Sequence, residues 1–316
     1  MRAMRVTVTG ATGLIGRALV PALRTRGAEI TVLTRDPDRA RETLDAVAGT
    51  AVEAVAWDPL SGPAPSEALA GRDAVLNLAG EPIAQRWSAS AKRAIHDSRV
   101  VGTRNLVAGL RATGESQTDG RPRTLISSSA IGYYGPHGEE PLDEDTPPGA
   151  DFLARLCVAW ELEASRASEL GLRVVLLRTG VVLDADGGAL GKMLAVFRLG
   201  LGGPVAGGHQ YVSWIHVEDL VAMMLTALER ESWSGPVNGT APEPVPNRVL
   251  SKTLGRVLDR PAMLPVPALA LRLLYGEMAE VVTTGARVVP AKPLVLGYEF
   301  RHPELEEALR SALTPA

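Results

Sequence analysis

Short apolar runs alternate with helix-length segments along the first half of the chain. Residues 5–9 (RVTVT) read as a buried strand, and a glycine turn leads from them into a helix reaching about residue 26. Further strands are predicted at 29–33 (EITVL), 51–56 and 74–78 (AVLNL), followed by a long helix at about 88–112. Residues 124–127 and 173–178 add two strands, separated by a loop and a helix near 151–170. Strands alternating with helices imply parallel pairing, because a parallel pair needs a crossover connection. The expectation is an α/β fold with a doubly wound parallel sheet, its ligand lying outside the carboxyl ends of the strands.

The second half changes character. Residues 200–208 (GLGGPVAGG) form a glycine-rich loop, and beyond Gly235-Pro236 the chain is rich in proline and helix-like. Helices are predicted at 247–258, 267–282 and 303–313, and 241–246 (APEPVP) reads as a linker. This divides the chain into a doubly wound α/β domain, 1–244, and a small, mostly helical C-terminal lobe, 245–316, packed on the sheet. No internal repeat or low-complexity tail interrupts the pattern.

Composition narrows the function classes. The chain has 316 residues, 33 basic against 36 acidic side chains, a formal charge of −3, and 46% hydrophobic residues. That is enough apolar material for a full core and excludes wholesale disorder. Near-neutral charge leaves no footprint for nucleic acid or anionic lipid. The single cysteine, Cys157, excludes an internal disulfide framework and a multi-cysteine zinc site. No run approaches the roughly 18 apolar residues of a membrane span, and the N-terminus lacks a signal peptide's cleavage pattern. A soluble, cytoplasmic protein is expected, a monomer or homodimer whose partner is a small-molecule substrate.

Gly10-Ala11-Thr12-Gly13-Leu14-Ile15-Gly16 follows a strand and opens a helix, the context that makes a glycine motif informative. One glycine permits the tight turn, one lets the backbone approach a pyrophosphate, and one lets helix and strand pack closely. The helix N-terminus offers unpaired N–H groups and partial positive charge to phosphates. The kind of dinucleotide is decided at the end of the second strand, where an NAD site places an acidic residue. Here the residues are Leu33-Thr34-Arg35-Asp36. Arg35 can pair with a 2′-phosphate through two N–H bonds, and Thr34 can add a hydroxyl. Asp36 keeps NAD in play only if it turns inward rather than starting the next helix. NADP (NADPH) is therefore preferred over NAD. Asp58, after the third strand, can accept from the adenine amino group or close a turn.

The spacing G-x-x-G-x-x-G, with Asn77-Leu78-Ala79-Gly80 and Ser127-Ser128-Ser129-Ala130, resembles the extended short-chain dehydrogenase/reductases of the epimerase/dehydratase group. Arg86-Trp87, Ser98-Arg99-Val100, Tyr133-Tyr134-Gly135, Trp160-Glu161, 178–183 (RTGVVL) and 213–220 (SWIHVEDL) narrow the resemblance to its atypical "epimerase family protein" branch. Members of that branch carry a C-terminal domain of unknown function, matching 245–313 here. The resemblance implies a Rossmann-like fold, cofactor contacts at Leu78, Ala79 and Gly80, and Val182 near the nicotinamide end. Extended members usually read Asn-Val-x-Gly-Thr where this chain reads Arg99-Val100-Val101-Gly102-Thr103. Arg99 then reaches a cofactor phosphate, a ribose or a substrate anion, unless it is an ordinary surface arginine.

The catalytic pattern of the family breaks here. Usual members have a serine or threonine and, about 25 residues later, Tyr-x-x-x-Lys, in which the tyrosine moves the substrate proton and the lysine lowers its pKa. Ser129 fills the first place, but Leu153 and Cys157 fall where tyrosine and lysine belong, with Glu161 four residues on. Tyr133 and Tyr134 are the substitute acids, or an aromatic pair packing the loop. Cys157 is more readily a buried small hydrophobe than a nucleophile. Gln210, Trp214 and His216 are candidate substrate contacts, although Trp214 can equally be core and His216 can fix a loop. Five scattered histidines without close carboxylate spacing predict no metal site. Three readings stand: an NADP(H)-dependent oxidoreductase-like enzyme, a non-catalytic NADP(H)-binding or redox-sensing protein, and a nucleotide-sugar epimerase.

Overall fold

A computed structural model describes residues 3–49, 52–113 and 124–314. Seven strands form one parallel sheet: β1 (Arg5–Thr9), β2 (Glu29–Thr34), β3 (Glu53–Ala56), β4 (Ala74–Asn77), β5 (Thr124–Ala130), β7 (Arg173–Thr179) and β11 (Gly235–Gly239). Their order is β11-β7-β5-β4-β1-β2-β3. Winding reverses between β1 and β4, so the crevice at the carboxyl ends opens beside the glycine turn. Three pairs of short strands lie outside the sheet. They are β6 (Pro141–Leu142) with β13 (Arg287–Val288), β8 (Val181–Leu183) with β10 (Trp214–His216), and β9 (Tyr211–Val212) with β12 (Val245–Pro246).

Helices cover both faces. On one, α1 (Leu14–Thr25), α2 (Pro37–Ala48) and α6 (Val217–Glu229) bury Leu19, Leu44, Leu220 and Met224 against Val6, Val8 and Val32. On the other, α3 (Ala89–Ala112) and α4 (Phe152–Ser165) pack Leu106, Leu110 and Ala164 against Val75 and Leu125. The strand expected at 51–56 is seen from Glu53, residue 51 lying outside the described residues. Three helices and an edge strand escape the period analysis for physical reasons. Helix α2 buries only Ala40 and Leu44 of those whose burial is described, and its start is marked instead by the Asp36 cap and Pro37. Helix α6 is apolar on most sides, so it has no clear polar face to betray a period. Helix α5 (Gly188–Phe197) lies next to the glycine-rich loop, and strand β11 carries Pro236, which is tolerated because only β7 flanks it.

The C-terminal part of the chain adds α7 (Asn247–Val257), α8 (Ala268–Tyr275), α9 (Ala279–Thr283), α10 (Ala291–Val295) and α11 (Leu305–Leu313). Helices α5, α7 and α11 enclose a separate core of Leu190, Leu194, Phe197, Leu250, Leu254 and Leu309. The helix expected over 267–282 is divided, because Gly276 takes a φ of 62° and ends α8. Nor is 241–246 a linker. Ala241 is buried and its N–H donates to the Trp214 carbonyl, and Val245–Pro246 pairs with Tyr211–Val212.

From there the chain returns to the first core. Asp219, fully buried at the start of α6, accepts the N–H groups of Arg301 (2.8 Å) and His302 (2.9 Å). The Tyr298 hydroxyl donates to its carbonyl at 3.0 Å. Asp219→Ala strands those two amide donors, each costing about 1–3 kcal/mol if left unpaired. Calorimetry should show a loss of about 2–4 kcal/mol, and trypsin should cut at Arg301 faster than in the parent; an unchanged melting temperature and cleavage rate would show that the tail does not depend on this anchor.

Candidate functional site

The glycine turn is shaped by close approach. Gly10 has a φ of 67°, and a β-carbon there would lie 2.7 Å from the Leu78 carbonyl and the Ala79 nitrogen. A β-carbon on Gly16 would lie 2.4 Å from the Ala11 carbonyl oxygen, so helix and turn touch only because Gly16 has no side chain. Gly13 begins α1 with no side-chain cap, and Thr12 and Gly13 are exposed. With no acidic residue in its first turn, α1 presents open N–H groups at the crevice. Leu14 and Ile15 follow, half-buried, and Leu14 sits beneath Gly187 and Gly188 in the turn after β8, the strand that carries Val182. Ala79 N–H donates to Thr9 Oγ1 at 3.2 Å, which seats the Leu78–Gly80 backbone against the turn.

At the end of β2 the three polar residues separate. The Asp36 carboxylate accepts the Arg39 N–H at 3.1 Å and caps α2. Thr34 Oγ1 accepts the Asp36 N–H at 3.3 Å, and Arg35 is exposed. Asp58 closes a turn, its Oδ1 accepting the Leu60 N–H at 3.1 Å.

A cavity of about 560 Å³ lies over the ends of β5 and β7, between α3 and α4 on one side and Glu277 and α9 on the other. Its walls are mostly apolar, with Trp87, Phe152, Leu153, Cys157, Trp160 and Val281 among them. Arg99 enters from α3, where burial lowers its pKa. Its Nη1 donates to the carbonyls of Glu81 (2.9 Å) and Ile95 (3.2 Å), and its guanidinium lies 5.3 Å from the Trp160 ring centre. It is a cavity residue, not a surface arginine, and it is packed so closely that a β-carbon on Gly80 would lie 2.9 Å from its Cζ. Gln210 also reaches the cavity wall, its amide donating to the Val205 and Val282 carbonyls.

Several candidates lie elsewhere. Ser129 is 4% exposed, and its hydroxyl donates to Glu161 Oε1 at 2.6 Å. Glu161 in turn holds Arg178 by two bonds of 2.9 Å, to Nε and Nη2. Arg178 Nη1 donates to the Tyr134 hydroxyl at 3.0 Å, and Tyr134 donates to Asn238 Oδ1 at 2.7 Å. Tyr134 is sealed from solvent, and burial pushes its hydroxyl up to about 12. As a substitute acid it is therefore corrected to a core residue. Tyr133 stacks on the Arg178 guanidinium at 3.4 Å and does not line the cavity. Burial, then the Glu161 charge, pushes the Cys157 thiol up to about 12, so it is a neutral thiol. Burial works against the charge on Arg178, but the bonds and charge of Glu161 outweigh it and raise its pKa.

The substrate-side expectations for Trp214 and His216 are corrected as well. Trp214 is fully buried and donates its indole N–H to the Glu243 carbonyl. His216, 2% exposed, caps α6 by accepting the Glu218 N–H at Nδ1. Folding also brings His302 beside it, with ring centres 4.0 Å apart, and His302 Nε2 lies 3.1 Å from Glu218 Oε2. Ligand-type atoms of His216, Glu218 and His302 all lie within 4.8 Å of one another, a grouping that spacing along the chain could not reveal. Its evident work is to cap α6 and hold the C-terminal segment. The Glu161–Arg178 network also went unread, although an arginine ending the apolar run 173–178 is its one local sign.

Residues 6–238 match the NAD dependent epimerase/dehydratase family, and 266–312 match a domain of unknown function. The chain belongs to the epimerase/dehydratase family. An epimerase family protein homologue of Arabidopsis thaliana, described as chloroplastic, is 42% identical over 313 residues, covering 98% of this chain and 87% of that protein. The human epimerase family protein SDR39U1 is 36% identical over 312 residues. A crystal structure of the human protein with NADPH superposes with a TM-score of 0.83 at 34% identity, covering 98% of this chain and 99% of that one. A nucleoside-diphosphate sugar epimerase from Corynebacterium glutamicum gives 0.76 at 32% identity, with 58% of its length covered. Among the described residues no helix is long and apolar enough to cross a membrane.

The site places Leu153 and Cys157 on the cavity wall and ties Ser129 to a buried ion pair. Glu161→Ala leaves Arg178 charged and unpaired, and denaturant unfolding should show a loss of about 3–5 kcal/mol. A loss below about 1 kcal/mol would place the pair among weak surface bridges. A pH effect follows from His216, which burial first and His302 second hold at about 4, against an ordinary 6.5. The unfolded chain takes up that proton first, so stability falls as pH drops from about 6.5 towards 4, by up to about 1.4 kcal/mol per unit. His216→Asn keeps a capping side chain and should flatten the acid limb of a melting curve; an unaltered limb would assign the acid sensitivity to other groups.

Proposed function

We propose that this chain is an NADP(H)-binding, oxidoreductase-like protein acting on a small substrate held in the cavity beside α9. The observation that carries the cofactor choice is the Asp36 cap. With that carboxylate bound to the Arg39 N–H, no acid is turned inward for a ribose 2′-hydroxyl, and the exposed Arg35 and half-buried Thr34 remain for a 2′-phosphate. The Gly10–Gly16 turn offers the backbone approach and the open helix N-terminus that a pyrophosphate needs. The human relative crystallised with NADPH supports the same assignment.

NADPH, when bound, supplies a hydride. The residues of this chain bind and orient around it. Thr12 to Ile15 would meet the pyrophosphate with backbone N–H groups, Leu78 to Gly80 would carry backbone past the cofactor, and Val182 would border the nicotinamide end. Arg99 places a desolvated cation at the cavity wall, suited to a substrate oxyanion or a ribose. Ser129 holds Glu161 rather than substrate, so it is a positioning residue here.

A non-catalytic NADP(H)-binding role draws support from one observation, that Leu153 and Cys157 line the cavity where a Tyr-x-x-x-Lys pair is expected, and the chain holds no such spacing. Sugar-nucleotide epimerisation draws less, because it needs a base where Leu153 and Cys157 stand. The test is calorimetric titration with NADPH, NADP, NADH and NAD on the parent and on Arg35→Ala. The mutant should lose about tenfold or more in affinity for the two phosphate-bearing cofactors and little for the others. Equal affinity for all four in the parent would make Arg35 a bystander.

A further inference from the structure

Resting on the NADP(H) reading, the cavity's chemistry narrows its substrate. Hydride delivery to a simple ketone creates an alkoxide, a strong base that needs an acid within reach as it forms. The cavity wall provides none where the family keeps one. Leu153 is apolar, Cys157 is a neutral buried thiol, and the hydroxyls of Ser129 and Tyr134 are spent inside the network below. What the wall does provide is aromatic surface, the Tyr211 phenol, the exposed Arg155 and one buried cation, Arg99. Trp87 and Phe152 meet edge to face at 5.2 Å, and Trp160 lies deeper under Arg99. Lys92 is neutralised by its ion pair with Glu277, whereas Arg99 bonds only to backbone carbonyls, with no carboxylate in ion-pair range among the described residues. Such walls suit a flat, conjugated ligand that stacks on aromatic rings and develops negative charge beside a guanidinium.

We propose that the cavity takes a two-electron acceptor of the quinone type, with Trp87, Phe152 and Trp160 as its stacking surface and Arg99 as its anion-stabilising group. The C4–H bond of the dihydronicotinamide breaks, and its electron pair moves with the hydrogen to the quinone. The nicotinamide is oxidised, and the quinone is reduced to a hydroquinone monoanion. A proton from water then completes the hydroquinone. No side-chain acid is required, because the charge spreads over the ring and a phenolate is a far weaker base than an alkoxide. Arg99 stabilises that charge as it develops.

The experiment uses the full chain with a soluble naphthoquinone as acceptor and cyclohexanone as the simple-ketone control. Three readouts are taken: NADPH binding by its own fluorescence, tryptophan quenching by the naphthoquinone in the presence of NADP, and NADPH consumption. The expected result is saturable quenching and kcat/KM for the quinone at least about 100-fold above the ketone. Arg99→Ala should lower kcat at least about tenfold while quenching persists, and Arg99→Lys should recover part of it. Trp160→Leu should weaken the quenching-derived affinity. If NADPH binds but the quinone neither quenches nor is consumed, the substrate class is overturned and the NADP(H) reading stands. If an aliphatic ketone is reduced as fast as the quinone, an acid must be present and the inference fails. If NADPH does not bind, the reading beneath it fails as well.

Discussion

The two-pronged bond between Glu161 on α4 and Arg178 on β7 is the constraint around which the site is arranged. Both residues are almost completely buried. Taking two charges out of water costs several kcal/mol each, and their attraction repays that only when geometry is good and the remaining bonding capacity is used. Here it is used. Glu161 Oε1 also accepts from Ser129, Arg178 Nη1 donates to Tyr134 and to the Glu144 carbonyl, and the Tyr133 ring covers the guanidinium. Such a pair adds little net stability over apolar packing, so its contribution is to hold one arrangement of groups.

That arrangement extends beyond the sheet. Tyr134 passes the network to Asn238, whose N–H donates to Glu144 Oε1, and the other Glu144 oxygen accepts the Lys292 N–H. The Asn238 amide also donates to the Val289 carbonyl. One charged pair therefore registers α4, the two strands at the sheet edge and the returning C-terminal chain against one another. The same bonds draw Ser129 and Tyr134 out of the cavity. The cavity is left with a mostly apolar wall and the buried Arg99 guanidinium.

The C-terminal part of the chain completes the cavity rather than forming an appendage. Its helices α7 and α11 share a core with α5, and Asp219 and the β6–β13 pair fasten the segments beyond it to the rest of the chain. Between these anchors, α8 has no buried residue. It is held in place through Arg86, which donates to the Leu273 and Leu274 carbonyls, and the turn after it, which lines the cavity, through the Lys92–Glu277 pair. The helix and its turn are thus tied by polar bonds to α3 and the loop before it, while the apolar side chains of α8 stay outside.

The features legible in the chain by itself are those encoded within a few residues. The glycine spacing, the β-branched runs, the capping Asp36 before Pro37 and the adjacent Arg35 each carry their meaning locally. So does the missing tyrosine–lysine pair, which is a matter of counting along one helix. Tertiary structure decided what depends on distant partners. Ser129 reads as a catalytic serine until Glu161 and Arg178 arrive from other elements and claim its hydroxyl. Trp214 and His216 read as substrate contacts because a buried and a lining position look alike in sequence. His302 becomes a neighbour of His216 only when Asp219 draws the last segment back to α6. Periodicity and spacing report the local backbone. Which polar group meets which, and so which remains free for chemistry, is fixed by contacts whose pairing no local pattern records.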